Sequence, residues 1–289
     1  MPPTAMSPTA GGLLVSGVTV RFGALTAVDR AALAAPAGAV TGLIGPDGAG
    51  KTTLCDVITG LRRPSEGTVR LGDADLTGGA RERARRGVAR TFERPGPLGG
   101  ATVRDAVRTA AVRHAAAREH PGRTARDRWR RRRAARRDAA GRADELLARV
   151  GIGEYARRSA RAVPPDVARL AELARALAAD PSVLLLDEPW TGLPERRSRA
   201  LEVLLRDLAA EGLTVLVAGH DLEPVLGVCD VVHVLDGGRV VASGPPAEVR
   251  ADARPRRLPG RAHPGCAPRA PLGAARTTGA GRGPEMRAG

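Results

Sequence analysis

The chain has 289 residues, 43% of them hydrophobic, enough to bury a sizeable core as one large domain or two modest ones. Its net charge of +15 is concentrated: residues 118–142 hold eleven arginines against three acids, residues 251–289 hold eight against two, and the body is near neutral. With 2% aromatic residues to stack on bases, no nucleic acid partner is expected, and no apolar run approaches the roughly 18 residues that span a bilayer.

Residues 1–12 are rich in Pro, Thr and Gly and are expected to be disordered. No signal-peptide pattern opens the sequence. Cys55, Cys229 and Cys266 lack metal-ligand spacing, so reduced thiols in the cytosol are the expectation. Strand-like runs follow at Leu13–Val20 and Ala24–Leu33. Ala39–Ile44 has a buried-strand pattern, then come a glycine-rich loop and a helix reaching Thr59. A short strand is predicted at Gly67–Leu71. The stretch 100–180, rich in Ala, Arg and Leu, reads as mainly helical. Val183–Leu186 and Leu213–Ala218 are apolar runs of the kind found in fully buried parallel strands, with a helix predicted at about 195–210 between them. Val231–Leu235 and Arg239–Ala242 flank Asp236-Gly237-Gly238, a turn between two closing strands. From Ala251 the tail is Pro, Gly, Ala and Arg without apolar periodicity, and is expected to be disordered. Alternating strands and helices predict an α/β domain over 13–250 with a mainly parallel central sheet and a helical insertion at about 95–180.

The octet Gly45-Pro46-Asp47-Gly48-Ala49-Gly50-Lys51-Thr52 matches G-x-x-x-x-G-K-[ST]. Its glycines permit the backbone angles that turn N–H groups onto phosphate oxygens. The helix that follows, with Thr53 in its first turn, adds a positive N-terminal end. Lys51 is the only lysine in the chain. A compact, flexible ammonium suits the β- and γ-phosphates, where a broad planar guanidinium is a poor substitute. The Thr52 hydroxyl is the predicted Mg²⁺ ligand, and a nucleotide with Mg²⁺ the predicted occupant.

A second signal is Leu184-Leu185-Leu186-Asp187-Glu188-Pro189. A buried strand ending in Asp places a carboxylate at the sheet edge where such folds bind ligands. Asp187 is suited to hold Mg²⁺ between phosphates, and Glu188 to polarise an attacking water. His220 follows Val215–Gly219, again at a strand end, and is predicted to contact the γ-phosphate.

These three motifs, in this order, resemble the ATP-binding subunit of ABC transporters from about Leu13 to Arg250. Val20–Val28, Val88–Glu93 and Thr102–Val107 look most like the branched-chain amino acid importer group. The resemblance implies a P-loop NTPase fold with antiparallel N-terminal β-strands and a helical subdomain that docks on membrane subunits. It implies Phe22 as the aromatic under adenine, although a core Phe in a strand is the alternative. It also implies Glu93 beside Mg²⁺ and His220 as switch histidine. The expected role is ATP hydrolysis coupled to import, on the inner face of the cell membrane, with permease subunits and a second cassette as partners.

Three departures bear on turnover. Glu93 replaces the family's Q-loop glutamine, which leaves open a tolerated swap or a retuned site, since the amide donor is lost and a charge gained. Val163-Pro164-Pro165-Asp166-Val167 stands where L-S-G-G-Q is expected. The family uses that stretch to clasp the γ-phosphate on the opposite subunit, but the two prolines have no N–H to give. Asp166 reads as a helix N-cap. Gly192-Leu193-Pro194 lacks the Asp or Asn usual in the D-loop. Because the losses fall on the half-site that serves the partner, a heterodimer is the expectation. A subunit that binds nucleotide without turnover and a soluble non-transport ATPase are the alternatives. The arginine-rich 118–142 reads as a solvated helix face, with contact to anionic lipid as the sharper alternative.

Overall fold

The computed structural model describes residues 11–92, 101–117 and 138–252. Every described residue lies in one compact unit. Of the stretches expected to be disordered, 1–12 and 251–289, all but residues 11–12 and 251–252 lie outside the described residues, as do Glu93, Cys266 and most of the arginine-rich segment.

Strands β1 (Leu13–Phe22) and β2 (Leu25–Ala35) form a hairpin in which Phe22 faces Leu25 across the turn. β4 (Glu66–Leu71) pairs with the other edge of β1, and β5 (Ala74–Asp75) with β4, giving an antiparallel sheet of order β2-β1-β4-β5. The second sheet runs β10-β9-β3-β8-β7-β6. It comprises β3 (Val40–Ile44), β6 (Val88–Arg90), β7 (Val183–Asp187), β8 (Thr214–Gly219), β9 (Val231–Asp236) and β10 (Arg239–Gly244). Every pair in it is parallel except the β9–β10 hairpin. Strands β3, β7 and β8 are buried along their whole length, which is why their sequences run apolar without alternation.

The two faces of this sheet build two cores. Leu43, Leu185 and Leu216 face the antiparallel sheet and α1 (Lys51–Thr59). Leu184, Leu186, Val215 and Val217 face α3 (Val103–Ala117), α4 (138–149), α5 (Pro165–Leu177) and α6 (Glu195–Ala210). The period-2 pleat divides one run of leucines between both cores, each contributing about 1.5–3 kcal/mol on full burial. Cys55 and Cys229 are free, and burial pushes both thiols up to about 12.

The sequence did not announce β5, α2 (Ala80–Arg85), β6 or α8 (Pro246–Asp252), the first three being too short to display a period. Helix α8, which follows α7 (Leu222–Val228) and the closing hairpin, takes in Ala251 and Asp252, so the boundary drawn at 250 falls inside a helix. No helix among the described residues is long and apolar enough to cross a membrane.

Candidate nucleotide-binding site

β3 ends at Ile44 and the chain enters α1 at Lys51, so six residues must turn at the sheet's C-terminal edge. Gly45 passes so close to the β9–β10 hairpin that a Cβ there would lie 2.1 Å from the Leu235 carbonyl oxygen. Gly50 takes φ +103°, and a Cβ on it would lie 2.5 Å from the Ala27 carbonyl oxygen. The Ala49 N–H donates to the Pro46 carbonyl at 3.1 Å, and the Gly238 N–H donates to the Ala49 carbonyl at 3.0 Å. The loop is thereby tied to the closing hairpin. Lys51 Nζ donates to the Gly45 and Pro46 carbonyls at 2.7 and 3.0 Å. Gly50 caps α1 without a side-chain acceptor, leaving the first helical N–H groups to the cleft.

That cleft, about 310 Å³, is lined by 47–53, Ala27, Asp187, Glu188, Thr191 and His220. The three sequence motifs therefore meet at one place, at the ends of β3, β7 and β8. Glu188 adopts φ +49°, a left-handed conformation for a residue with a side chain. Its backbone is fixed at both ends: its N–H donates to the Ala218 carbonyl at 2.8 Å, and its carbonyl accepts from Arg169 at 2.9 Å. The Glu188 carboxylate meets His220, Oε1 to Nδ1 at 2.8 Å. The hydrogen bond to Glu188 and its negative charge raise the His220 pKa above the ordinary imidazole value, with Asp221 and Asp47 adding to the effect. Thr52 and Asp187 supply a hydroxyl and a carboxylate oxygen in the same cleft, the hard donors that suit an oxygen-seeking cation.

Other expected residues stand apart. Phe22 is half-exposed at the outer end of β1, with the Arg62 guanidinium 4.2 Å from its ring centroid, and it does not line the cleft. Glu93 lies outside the described residues. At the 163–167 stretch, Pro164 is the N-cap of α5 and Pro165 its first residue, where a missing N–H is harmless. Asp166 is thus not the N-cap. It lies in the first turn and pairs with Arg197 of α6, whose guanidinium also lies 5.9 Å from the Tyr155 ring. The Asp166 charge is therefore neutralised within the chain. Pro194, at the D-loop position, is the N-cap of α6.

Sequence reading missed Arg90, Arg169 and Thr191. Arg90 pairs with both Asp56 and Asp187. The only available signal was an arginine closing the short run Val88-Ala89-Arg90 beside an otherwise apolar sheet.

Residues 28–191 match the family model described as ABC transporter. The high-affinity branched-chain amino acid transport ATP-binding protein LivG of Salmonella typhimurium is 34% identical over 240 residues, covering 82% of this chain and 93% of LivG. The methionine import ATP-binding protein MetN of Mesorhizobium japonicum is 34% identical over 261 residues, 86% of this chain and 65% of MetN. A nucleotide-free ATP-binding cassette from an ABC transporter superposes with a TM-score of 0.71 at 26% identity, covering 86% of this chain and 97% of that one. The chain belongs to the ABC transporter family, as one of its ATP-binding cassettes. It is an ATPase subunit of the kind coupled to transport, related to amino acid and methionine importers.

Proposed function

We propose that this cassette drives import of a small solute, with branched-chain amino acids as the leading class, in a heterodimer with a second cassette whose signature stretch is intact. LivG supports the substrate class. The pair would sit on the inner face of the cell membrane against integral permease subunits. The observation that carries the asymmetry is the contrast between two regions of one chain. Lys51, Asp187, Glu188 and His220 line one cleft, while the position that would clasp a partner's phosphate holds two prolines and an aspartate already bound to Arg197.

In this reading the 45–53 loop wraps the phosphates of ATP with backbone N–H groups, and Lys51 exchanges its two carbonyl partners for β/γ-phosphate oxygens. Phe22 is the residue proposed to receive adenine. Thr52 and Asp187 would hold Mg²⁺, with Glu93 nearby, and the ion when bound supplies neutralisation of charge on the phosphates. Glu188 orients the attacking water and accepts its proton. His220, held charged by Glu188, donates toward the γ-phosphate. The left-handed backbone at Glu188 aims its carboxylate into the cleft beside His220.

The test is ATP hydrolysis by the purified chain, alone and mixed with cassettes encoded beside it, with Glu188→Gln as control. Turnover that appears only with a partner and disappears in Glu188→Gln supports the asymmetric pair. Equal full rates alone and mixed refute it. A second reading, a subunit that binds ATP without turnover, is favoured by the same Pro164-Pro165 step, and tight binding with no turnover in any mixture would select it. Co-purification with membrane subunits separates a transporter from a soluble ATPase.

A further inference from the structure

Asp187 is held from outside the phosphate loop. Arg90 closes β6 at the sheet edge, and the parallel register sets it beside Leu185, two residues before Asp187 on β7. Its guanidinium bridges two carboxylates, Nη1 to Asp56 Oδ1 at 2.6 Å and Nη2 to Asp187 Oδ2 at 2.8 Å. The Phe92 ring covers it, with the guanidinium carbon 4.9 Å from the centroid. The side chain is 4% exposed and that of Asp187 is 5% exposed. Helix α1, strand β7 and the chain leaving β6 thus converge on one planar cation.

A buried ion pair is weak evidence for stability, because desolvation offsets most of the attraction. Its geometry is the more informative property. A planar guanidinium held at its other terminal nitrogen by Asp56 presents one N–H to Asp187 in a set direction, which a freely rotating ammonium does not. Arg90 occupies Oδ2 of Asp187 and is itself braced by Asp56, which does not line the cleft. Two acids and one base leave the cluster with one net negative charge beside the phosphate loop.

The geometry points to Arg90 as the positioning residue of Asp187: it turns the carboxylate so that Oδ1 serves a divalent cation carried on the nucleotide phosphates. This rests on the nucleotide reading of the cleft given above. Arg90 does not line the cleft. It acts through Asp187, and Asp56 acts through Arg90.

The experiment is equilibrium binding of N-methylanthraniloyl-ATP to the full chain, once with Mg²⁺ and once with EDTA. It compares wild type, Arg90→Met, Arg90→Lys and Asp56→Asn, each checked by thermal melting. The quantity read is the gain in affinity that Mg²⁺ confers. Arg90→Met is expected to reduce that gain about tenfold while leaving binding in EDTA unchanged. Arg90→Lys, which keeps the charge but not the planar pair of terminal nitrogens, is expected to fall between Arg90→Met and wild type. Asp56→Asn is expected to lower the gain by a smaller factor, in the same direction. A wild-type gain in folded Arg90→Met or in Asp56→Asn overturns the assignment, and if Arg90→Met does not fold, Asp56→Asn decides. Failure of the wild-type chain to bind the probe in either buffer overturns the nucleotide reading itself, a result distinct from unchanged gain in the variants.

Discussion

Arg169 donates to the Glu188 carbonyl oxygen at 2.9 Å, so the helix that begins at Pro165 also holds the backbone of the residue after Asp187. The bond links two half-sites within one chain: the α5 N-terminus, at the signature position, and the carboxylate proposed to act on this chain's own nucleotide. It also helps retain φ +49° at Glu188, a conformation of the kind that costs about 1–3 kcal/mol and persists only when neighbours enforce it.

Removing that bond with Arg169→Ala is expected to lower kcat of the assembled pair about tenfold, equivalent to ~1.4 kcal/mol of barrier. Nucleotide affinity should stay unchanged, because Arg169 does not line the cleft. Steady-state kinetics with a binding isotherm separate the two, and a matching loss of affinity would contradict the expectation.

The His220–Glu188 contact makes a prediction with a definite sign. The folded pKa of His220 is raised above 6.5, first by its hydrogen bond to Glu188. The charged pair is therefore fully formed below pH 6.5 and is lost as pH rises through the folded value. Titration followed by NMR should place the His220 midpoint above 6.5 in the wild-type protein. In Glu188→Gln it should move back toward 6.5. An unmoved midpoint would mean that Glu188 is not the cause.

The phosphate loop and the ends of β7 and β8 were legible in the sequence because each is a local pattern: a glycine spacing, or an apolar run followed by a polar residue. The residues that arrange those ends were not. Arg90 is 97 positions from Asp187, and Arg169 is 19 from Glu188. No periodicity or motif announces such pairs, which depend on strand register and helix packing. Asp166 illustrates the same limit. Its sequence neighbours suggest a cap, and only the approach of α6 reveals Arg197 as its partner.

Restoring the signature stretch tests the asymmetry directly. Replacing residues 163–167 by Leu-Ser-Gly-Gly-Gln should raise ATP turnover of the isolated chain by about tenfold or more, since each copy then offers the other phosphate-binding N–H groups. Arg197 loses Asp166 in this variant. Turnover that stays at the starting level would place the defect elsewhere, with Glu93 the first candidate.

Gly50→Ala is expected to lower stability by about 1–3 kcal/mol and to weaken nucleotide binding. The new Cβ would stand 2.5 Å from the Ala27 carbonyl oxygen on a backbone at φ +103°. Thermal melting and a binding isotherm check both effects. Unchanged melting would mean that β2 yields at little cost.

A second histidine sets an acid limit of the opposite sign. His233 is buried, with Nδ1 2.7 Å from Ser243 Oγ and Nε2 2.9 Å from the Ala34 carbonyl oxygen. Burial depresses its pKa below 6.5, partly countered by the Ala34 hydrogen bond. Its contribution is therefore present above pH 6.5 and lost as pH falls through the folded value. The melting temperature of wild type should fall more steeply below pH 6.5 than that of His233→Asn.

Lys51 is the only side-chain amine in the sequence, and it lies beneath the carbonyls of Gly45 and Pro46. Acylating reagents, amine cross-linkers and lysine-coupled dyes or sensor surfaces therefore share a single side-chain target, inside the phosphate loop. Attaching this protein through lysine would consume the site that the attachment was meant to report, whereas the rate of Lys51 acylation would itself measure how often that loop stands empty.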